Sequence, residues 1–445
     1  MHGTGVVCGS VDSASLTSQP MKILVIAYEF PPICSAQSLR WHYLTAELAA
    51  MGHSVRVITT DFRMGRELAP KPDSRVEVFR SFPGLFVGTA NRLEQRLAAG
   101  RRGGSAAAAP SSTADGGLRG IYRLARKVLD QVVFPDVRSE WYFFAARVLR
   151  RLDRSGYRPD LVIGSHEPGV DLQLGIAAKR RFGATLLADL GDPVDTVYSP
   201  RWRRRLDRRY EGYVLERADG ALVTLESVKQ ELERRHAQRH GLIEVVPQGF
   251  DHTRVASPNV AVPFRSDRLN ILFTGTLYAS FRNPAPFFET VARRSDVQLW
   301  IAGNLIGEFP AVSRSTSIRT LGPLTHAEVL DAQANADVLL SVGNRQADQI
   351  PGKIYEYFGA KRPILHLYSN EKDPGRALIG TFRRGWNAAD DAESSDAVLD
   401  MLVDRWLDGS LEQGLDLESD HAERFSWRAK AERLIQFAVS LQNLR

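Results

Sequence analysis

The chain has 445 residues, 43% of them apolar and 25% charged. This is ordinary globular composition, which excludes a mainly disordered, collagenous or coiled-coil protein, and at roughly 150 residues per domain the length suits two large domains or three smaller ones. The net charge of +6 is uneven, with +9 in residues 1–250 and −3 in the remainder, so the first half should face something anionic such as a phosphate-bearing substrate or a membrane surface, unless it is a solvated, Arg-rich surface.

Residues 1–20 are rich in Gly, Ser and Thr and read as a disordered tail or as sequence upstream of a true start at Met21. They lack the basic start and apolar core of a secretory signal, and no apolar run reaches the ~18 residues of a membrane span, so the expected location is cytoplasmic. Cys8 and Cys34 alone make neither a disulfide framework nor a cysteine zinc site. The run Lys22 to Tyr28 is almost wholly apolar, as in a strand buried on both faces of a parallel sheet. Leu44, Leu48 and Met51 have helical spacing, and Gly52 stands where a helix stops. Ser54 to Thr60 alternates and is β-branched, a second strand. This strand–helix–strand unit opens a Rossmann-like domain.

Residues 101–117 are of low complexity and read as a mobile loop. Residues 118–134 form a basic amphipathic pattern, with Arg119, Arg123, Arg126 and Lys127 off the apolar face. Such a helix packs on its own domain or meets a membrane surface. Further strands are expected at 161–164, 185–190, 221–224 and 243–246, then a linker at 252–263. A second α/β series comes next, with strands at 270–274, 298–302, 318–321, 338–342 and 363–367. The fold class is therefore α/β, with two Rossmann-like domains facing each other across a cleft. The expected divisions are 21–256, 257–420 and a helix in 421–445 that packs back on the first domain.

Ligands of such sheets bind at the carboxyl ends of the strands. Four segments there carry chemistry. The first, Glu29 to Arg40, has the paired prolines Pro31 and Pro32, the small residues Ser35 and Ala36, and a helix start that suits an anion; the alternative is a structural loop. The second, Asp189 to Asp195, holds three carboxylates, for sugar hydroxyls, acid–base chemistry or mere turn caps. In the third, Gly275 permits close approach and Arg282 offers bidentate donors to a pyrophosphate. In the fourth, Pro351 and Gly352 start a helix that carries Lys353 and Glu356 on one face, a cation for phosphate and a carboxylate for two vicinal ribose hydroxyls. A surface Lys–Glu pair is the rival, though Ile354, Tyr357 and Phe358 argue for a half-buried setting.

Several of these stretches resemble a known family. Pro31–Pro32, Arg40, the Gly52–Thr59 run, Ala218–Asp219, Val246–Asp251, Ile350–Leu365 and Phe425–Trp427 are similar to the retaining family 4 glycosyltransferases of the GT-B fold, in particular those of bacterial cell-envelope polysaccharides. The resemblance covers nearly the whole chain from Met21. It implies transfer of a sugar from a UDP- or GDP-type nucleotide sugar to a glycan or lipid-linked acceptor, with no cofactor and no metal required. The donor would meet Gly275, Thr276, Arg282, Lys353, Ile354 and Glu356, and the acceptor Pro32, Ser35, Ala36 and Arg40. Asp348, separated from Glu356 by seven residues and with Asp in place of the usual Glu, would lie near the transferred sugar, and Asp192 would be catalytic. Thr276 stands where the family has a phosphate-binding Arg, which Lys353 would replace. Gly191–Asp192 stands where it often has His-Asp; His166 is a candidate substitute or a plain surface histidine. The expected partners are the nucleotide sugar, the acceptor and an anionic membrane at the inner face of the plasma membrane, with no nucleic acid. The rival functions are a catalytically degenerate nucleotide-sugar-binding scaffold and a nucleotide-sugar epimerase.

Overall fold

A computed structural model describes residues 19–62, 67–92, 134–191, 193–195, 202–280, 282–344, 350–418 and 420–444. The tail at 1–18, the loop at 101–117, the basic pattern at 118–133 and the residues Asp192 and Asp348 lie outside these described residues.

The first unit is a parallel sheet of β1 (Lys22–Ile26), β2 (Ser54–Thr60), β3 (Glu77–Ser81), β4 (Leu161–His166), β5 (Thr185–Leu190), β6 (Gly220–Val223) and β7 (Ile243–Val245), in the order β3-β2-β1-β4-β5-β6-β7. The second is a parallel sheet of β8 (Leu269–Tyr278), β9 (Val297–Ile306), β10 (Ile318–Gly322), β11 (Val338–Val342), β12 (Ile364–Tyr368) and β13 (Gly385–Ala389), in the order β10-β9-β8-β11-β12-β13. Both are doubly wound, and both change winding direction between two neighbouring strands, β1/β4 and β8/β11. Crevices open at the carboxyl ends of such pairs.

The apolar runs reflect burial on both faces. In β1, Leu24 and Ile26 belong to one core while Ile23 and Val25 belong to the core on the opposite face. The sequence did not suggest β3 or β13, and both are edge strands. Their residues are only partly covered, so neither needs an apolar run. Nor does the segment after Thr274 leave the sheet where expected. β8 and β9 continue side by side to Tyr278 and Ile306. Gly275 and Gly303 are partners there, and a Cβ on Gly303 would stand 1.8 Å from the Gly275 carbonyl oxygen. Gly303 has φ +146°, so a side chain there would also be strained.

The helix Ala36–Ala50 starts at Ser35, whose side chain accepts from the Ser38 backbone N–H. It stops at Met51, and Gly52 comes next with φ +90°. The helix Trp427–Asn443 packs against it on the first unit: Trp427, Leu434 and Ala438 share a core with Trp41, Leu44 and Leu48. The chain thus passes between the units twice, and the two crossings touch. Phe250 N–H donates to the Phe425 carbonyl at 3.2 Å, and Trp427 N–H donates to the Phe250 carbonyl at 2.9 Å.

Candidate active site

A cleft of about 750 Å³ lies between the carboxyl ends of the two sheets and is lined from both units. On the second unit its floor is the helix Lys353–Ala360. Lys353 Nζ lies 2.6 Å from Glu356 Oε1, and 14% of the Glu356 side chain is exposed to the cleft. Burial pushes the Glu356 carboxyl up. The charge of Lys353 and the hydrogen bonds from Lys353 and Gln333 outweigh it, and the group stays below its ordinary range, an anion.

Gly275, Thr276, Arg282, Lys353 and Glu356, read from sequence as donor contacts, all line the cleft. Arg282 reaches across the end of β8 and gives Nε and Nη2 to Asn344 Oδ1 at 3.0 and 2.7 Å. Ile354 is different: its side chain is wholly buried in the core of the second unit and does not line the cleft. The helical period turns it inward while Lys353 and Glu356 face out.

On the first unit Ser35 and Ala36 line the cleft, whereas Pro32 and Arg40 do not. Arg40 is fully buried. Its Nη2 and Nε meet Asp189 Oδ1 and Oδ2 at 2.9 and 3.2 Å, and its Nη1 donates to the Pro247 carbonyl at 3.1 Å. Its guanidinium holds the helix Ala36–Ala50 to β5 beneath the cleft wall. Gln37, which the sequence did not single out, lines the cleft and ties the same Asp189 to Ser165. His166 and Glu29 also line it, and Glu29 pairs with Arg138 at 3.3 Å.

Three further cleft residues come from parts of the chain without a motif. Tyr43 and His326 approach from opposite units, with the hydroxyl 2.7 Å from His326 Nε2. The Tyr43 ring stacks on Trp427 at 5.5 Å and 7°. Gln333 stands behind Glu356 and donates to it at 2.6 Å. The one available signal for Gln333 was a polar residue on the inner side of an amphipathic helix.

Burial pushes both His326 and His42 down to about 4 from an ordinary 6.5. Unfolded chains protonate these rings at the higher pH. Between the two values the unfolded state therefore binds more protons, so this contribution to stability is complete above pH ~6.5 and is lost as the pH falls towards 4. Melting temperature should drop across that window, and less steeply in a His42→Asn/His326→Asn variant. Equal slopes would show that neither ring carries the effect.

Two doubly wound units with a cleft between their strand ends make the GT-B architecture. Residues 36–249, just under half of the chain, match the family described as Glycosyl transferase 4-like domain, and the fold of the whole chain is the GT-B fold of glycosyltransferases. No curated protein matches it. Among solved structures it is similar to a sucrose-phosphate synthase from Thermosynechococcus elongatus, at 16% identity over 96% of this chain and 100% of that one, with a TM-score of 0.59. Anabaena HepE in complex with UDP gives 12% over 94% and 100%, with a TM-score of 0.58. WaaG, a glycosyltransferase involved in lipopolysaccharide biosynthesis, gives 14% over 94% and 95%, with a TM-score of 0.52. At such identities these likenesses speak for the fold.

Proposed function

We propose that the protein moves a sugar from a nucleoside diphosphate sugar to a cell-envelope glycan or lipid-linked acceptor, with retention of anomeric configuration. The observation that carries this reading is Glu356, an ionised carboxylate in the cleft beside Lys353, at the point where β8 and β11 part. The complex of HepE with UDP supports a uridine nucleotide as donor, and the subject of the WaaG structure supports an envelope acceptor.

In this reading the ribose diol bonds to Glu356, and the diphosphate lies between Lys353, Arg282 and the open backbone at Gly275. The bond from C1 of the sugar to the β-phosphate oxygen breaks, and the acceptor oxygen bonds to C1 on the same face. The acceptor gives up its proton as the diphosphate takes the bonding electrons. Cationic side chains stabilise that growing charge, which is the main catalytic term and asks for no metal. Asp348 would stand by the transferred sugar and Asp192 by the acceptor, with Ser35 and Ala36 shaping the acceptor side. The basic first half would rest on anionic lipid at the inner face of the plasma membrane.

Thermal melts with UDP-, GDP-, ADP- and TDP-sugars test the donor. A ligand at ~100 Kd adds about 2.7 kcal/mol, a readable shift. The expected result is a shift for uridine sugars and, with an acceptor extract, a product whose anomeric proton coupling matches the donor's. An inverted product would refute retention. No shift with any nucleotide, together with no transfer, would refute the enzyme assignment of this cleft.

A further inference from the structure

The two donors that reach Glu356 converge on one of its oxygens. Lys353 Nζ and Gln333 Nε2 each lie 2.6 Å from Oε1, and among the described residues Oε2 receives no hydrogen bond. Oε2 is also not one of the sealed, partnerless atoms of the interior, and Glu356 borders the cleft. A carboxylate oxygen has two lone-pair directions. Those of Oε1 are taken, and those of Oε2 are open to a ligand.

Gln333 is wholly buried on the helix His326–Asn335. Its second amide hydrogen goes to Thr274 Oγ1 at 2.9 Å. Beyond Thr274 each bond has one possible direction. The Tyr357 hydroxyl donates to the Leu340 carbonyl at 3.2 Å, so its oxygen accepts from the Thr274 backbone N–H and hydroxyl, each at 3.1 Å. The Thr274 oxygen is then an acceptor for Gln333. Thr274 belongs to β8 and Leu340 to β11, so the network ends on the two strands that part beneath the donor cleft. The amide cannot be turned over, because its oxygen would then face the carboxylate at 2.6 Å. In the orientation it keeps, Gln333 Oε1 is buried without a partner. An apolar side chain of this shape would avoid that penalty, so stability alone does not explain a glutamine here.

We infer that Gln333 is a positioning residue for donor recognition, pinning Glu356 Oε1 to the sheet so that both lone pairs of Oε2 meet the two hydroxyls of a ribose. The inference rests on the proposed function, in which Glu356 receives the ribose. Without Gln333 the carboxylate is free to turn both oxygens towards Lys353 on its own helix.

Titration calorimetry with uridine diphosphate and 2′-deoxyuridine diphosphate tests it. Wild type should prefer the ribonucleotide by about tenfold, the worth of one hydrogen bond to a carboxylate. Gln333→Met, similar in length and without donors, should bring the ratio to within about twofold, with the deoxynucleotide, which keeps one of the two hydroxyls, weakened less than the ribonucleotide. A loss shared equally by both nucleotides, with the ratio kept, would mean that Gln333 only supports the fold and would overturn the inference. Glu356→Gln separates the two layers. A ratio that survives this change, or a wild type that does not discriminate, overturns the ribose assignment itself. A ratio lost in Glu356→Gln but kept in Gln333→Met overturns only the role of Gln333. Gln333→Asn, which withdraws the amide by one methylene, carries the same test if the methionine variant does not fold.

Discussion

Glu356→Ala is expected to abolish nucleotide-induced stabilisation and to lower sugar transfer about a hundredfold or more. Two hydrogen bonds from ribose to a carboxylate are worth about 1.5–3 kcal/mol each, and both go with the side chain. The cost to the empty protein is smaller. Lys353 is 32% exposed and is rehydrated when its partner leaves. Gln333 loses one of two acceptors in a buried place, worth about 1–3 kcal/mol. The variant should therefore melt only a few degrees below wild type, yet respond to no nucleotide. Melting curves with and without donor, together with kcat/KM, check both halves. Full activity in the variant would remove Glu356 from the donor site. A large fall in melting temperature with the nucleotide shift intact would make it a structural residue.

Asp189→Ala should have the largest effect on stability. It leaves the Arg40 guanidinium sealed in the interior with the Pro247 carbonyl as its remaining acceptor. Breaking a buried ion pair from one side costs about 3–5 kcal/mol, because the surviving charge has lost its partner and has no water. Gln37 loses an acceptor at the same time. For a unit of this size that is a fall of about 10 °C in the transition of the first unit. Replacing both partners, as Arg40→Met with Asp189→Leu, should recover much of the loss, since no charge is then stranded. Urea unfolding followed by tryptophan fluorescence reads both, with Trp41 and Trp141 inside the first unit. A loss under ~1 kcal/mol for Asp189→Ala would mean that water reaches the pair.

The fold was legible because both sheets are parallel and covered on both faces. Interior strands such as Thr185–Leu190 and Val338–Val342 are then buried at every position and read as mainly apolar runs. The edge strands Glu77–Ser81 and Gly385–Ala389 carry no such mark. On the second unit, Lys353 and Glu356 could be paired from sequence because one helix turn joins them. Gln333, His326 and Tyr43 could not. Each reaches the cleft through tertiary packing, 23 residues from Glu356 in the case of Gln333. Arg40 was legible as a cation at a strand-end loop but not as a buried one. Its burial depends on Asp189, which stands 149 residues away.

The double crossing at Phe250 and Ser426 also bears on how the protein is made. The second unit is an insertion within the first, with both of its ends at one place. Once its residues have been synthesised it can close on itself. The first unit must wait, because among the described residues the core around Trp41, Leu44 and Leu48 is completed by the helix Trp427–Asn443. At about 5–20 residues per second, the intervening stretch takes on the order of ten seconds or more to leave the ribosome. During that interval a greasy face stands open on the nascent chain, a docking place for a chaperone. The unit that is born first is the one finished last.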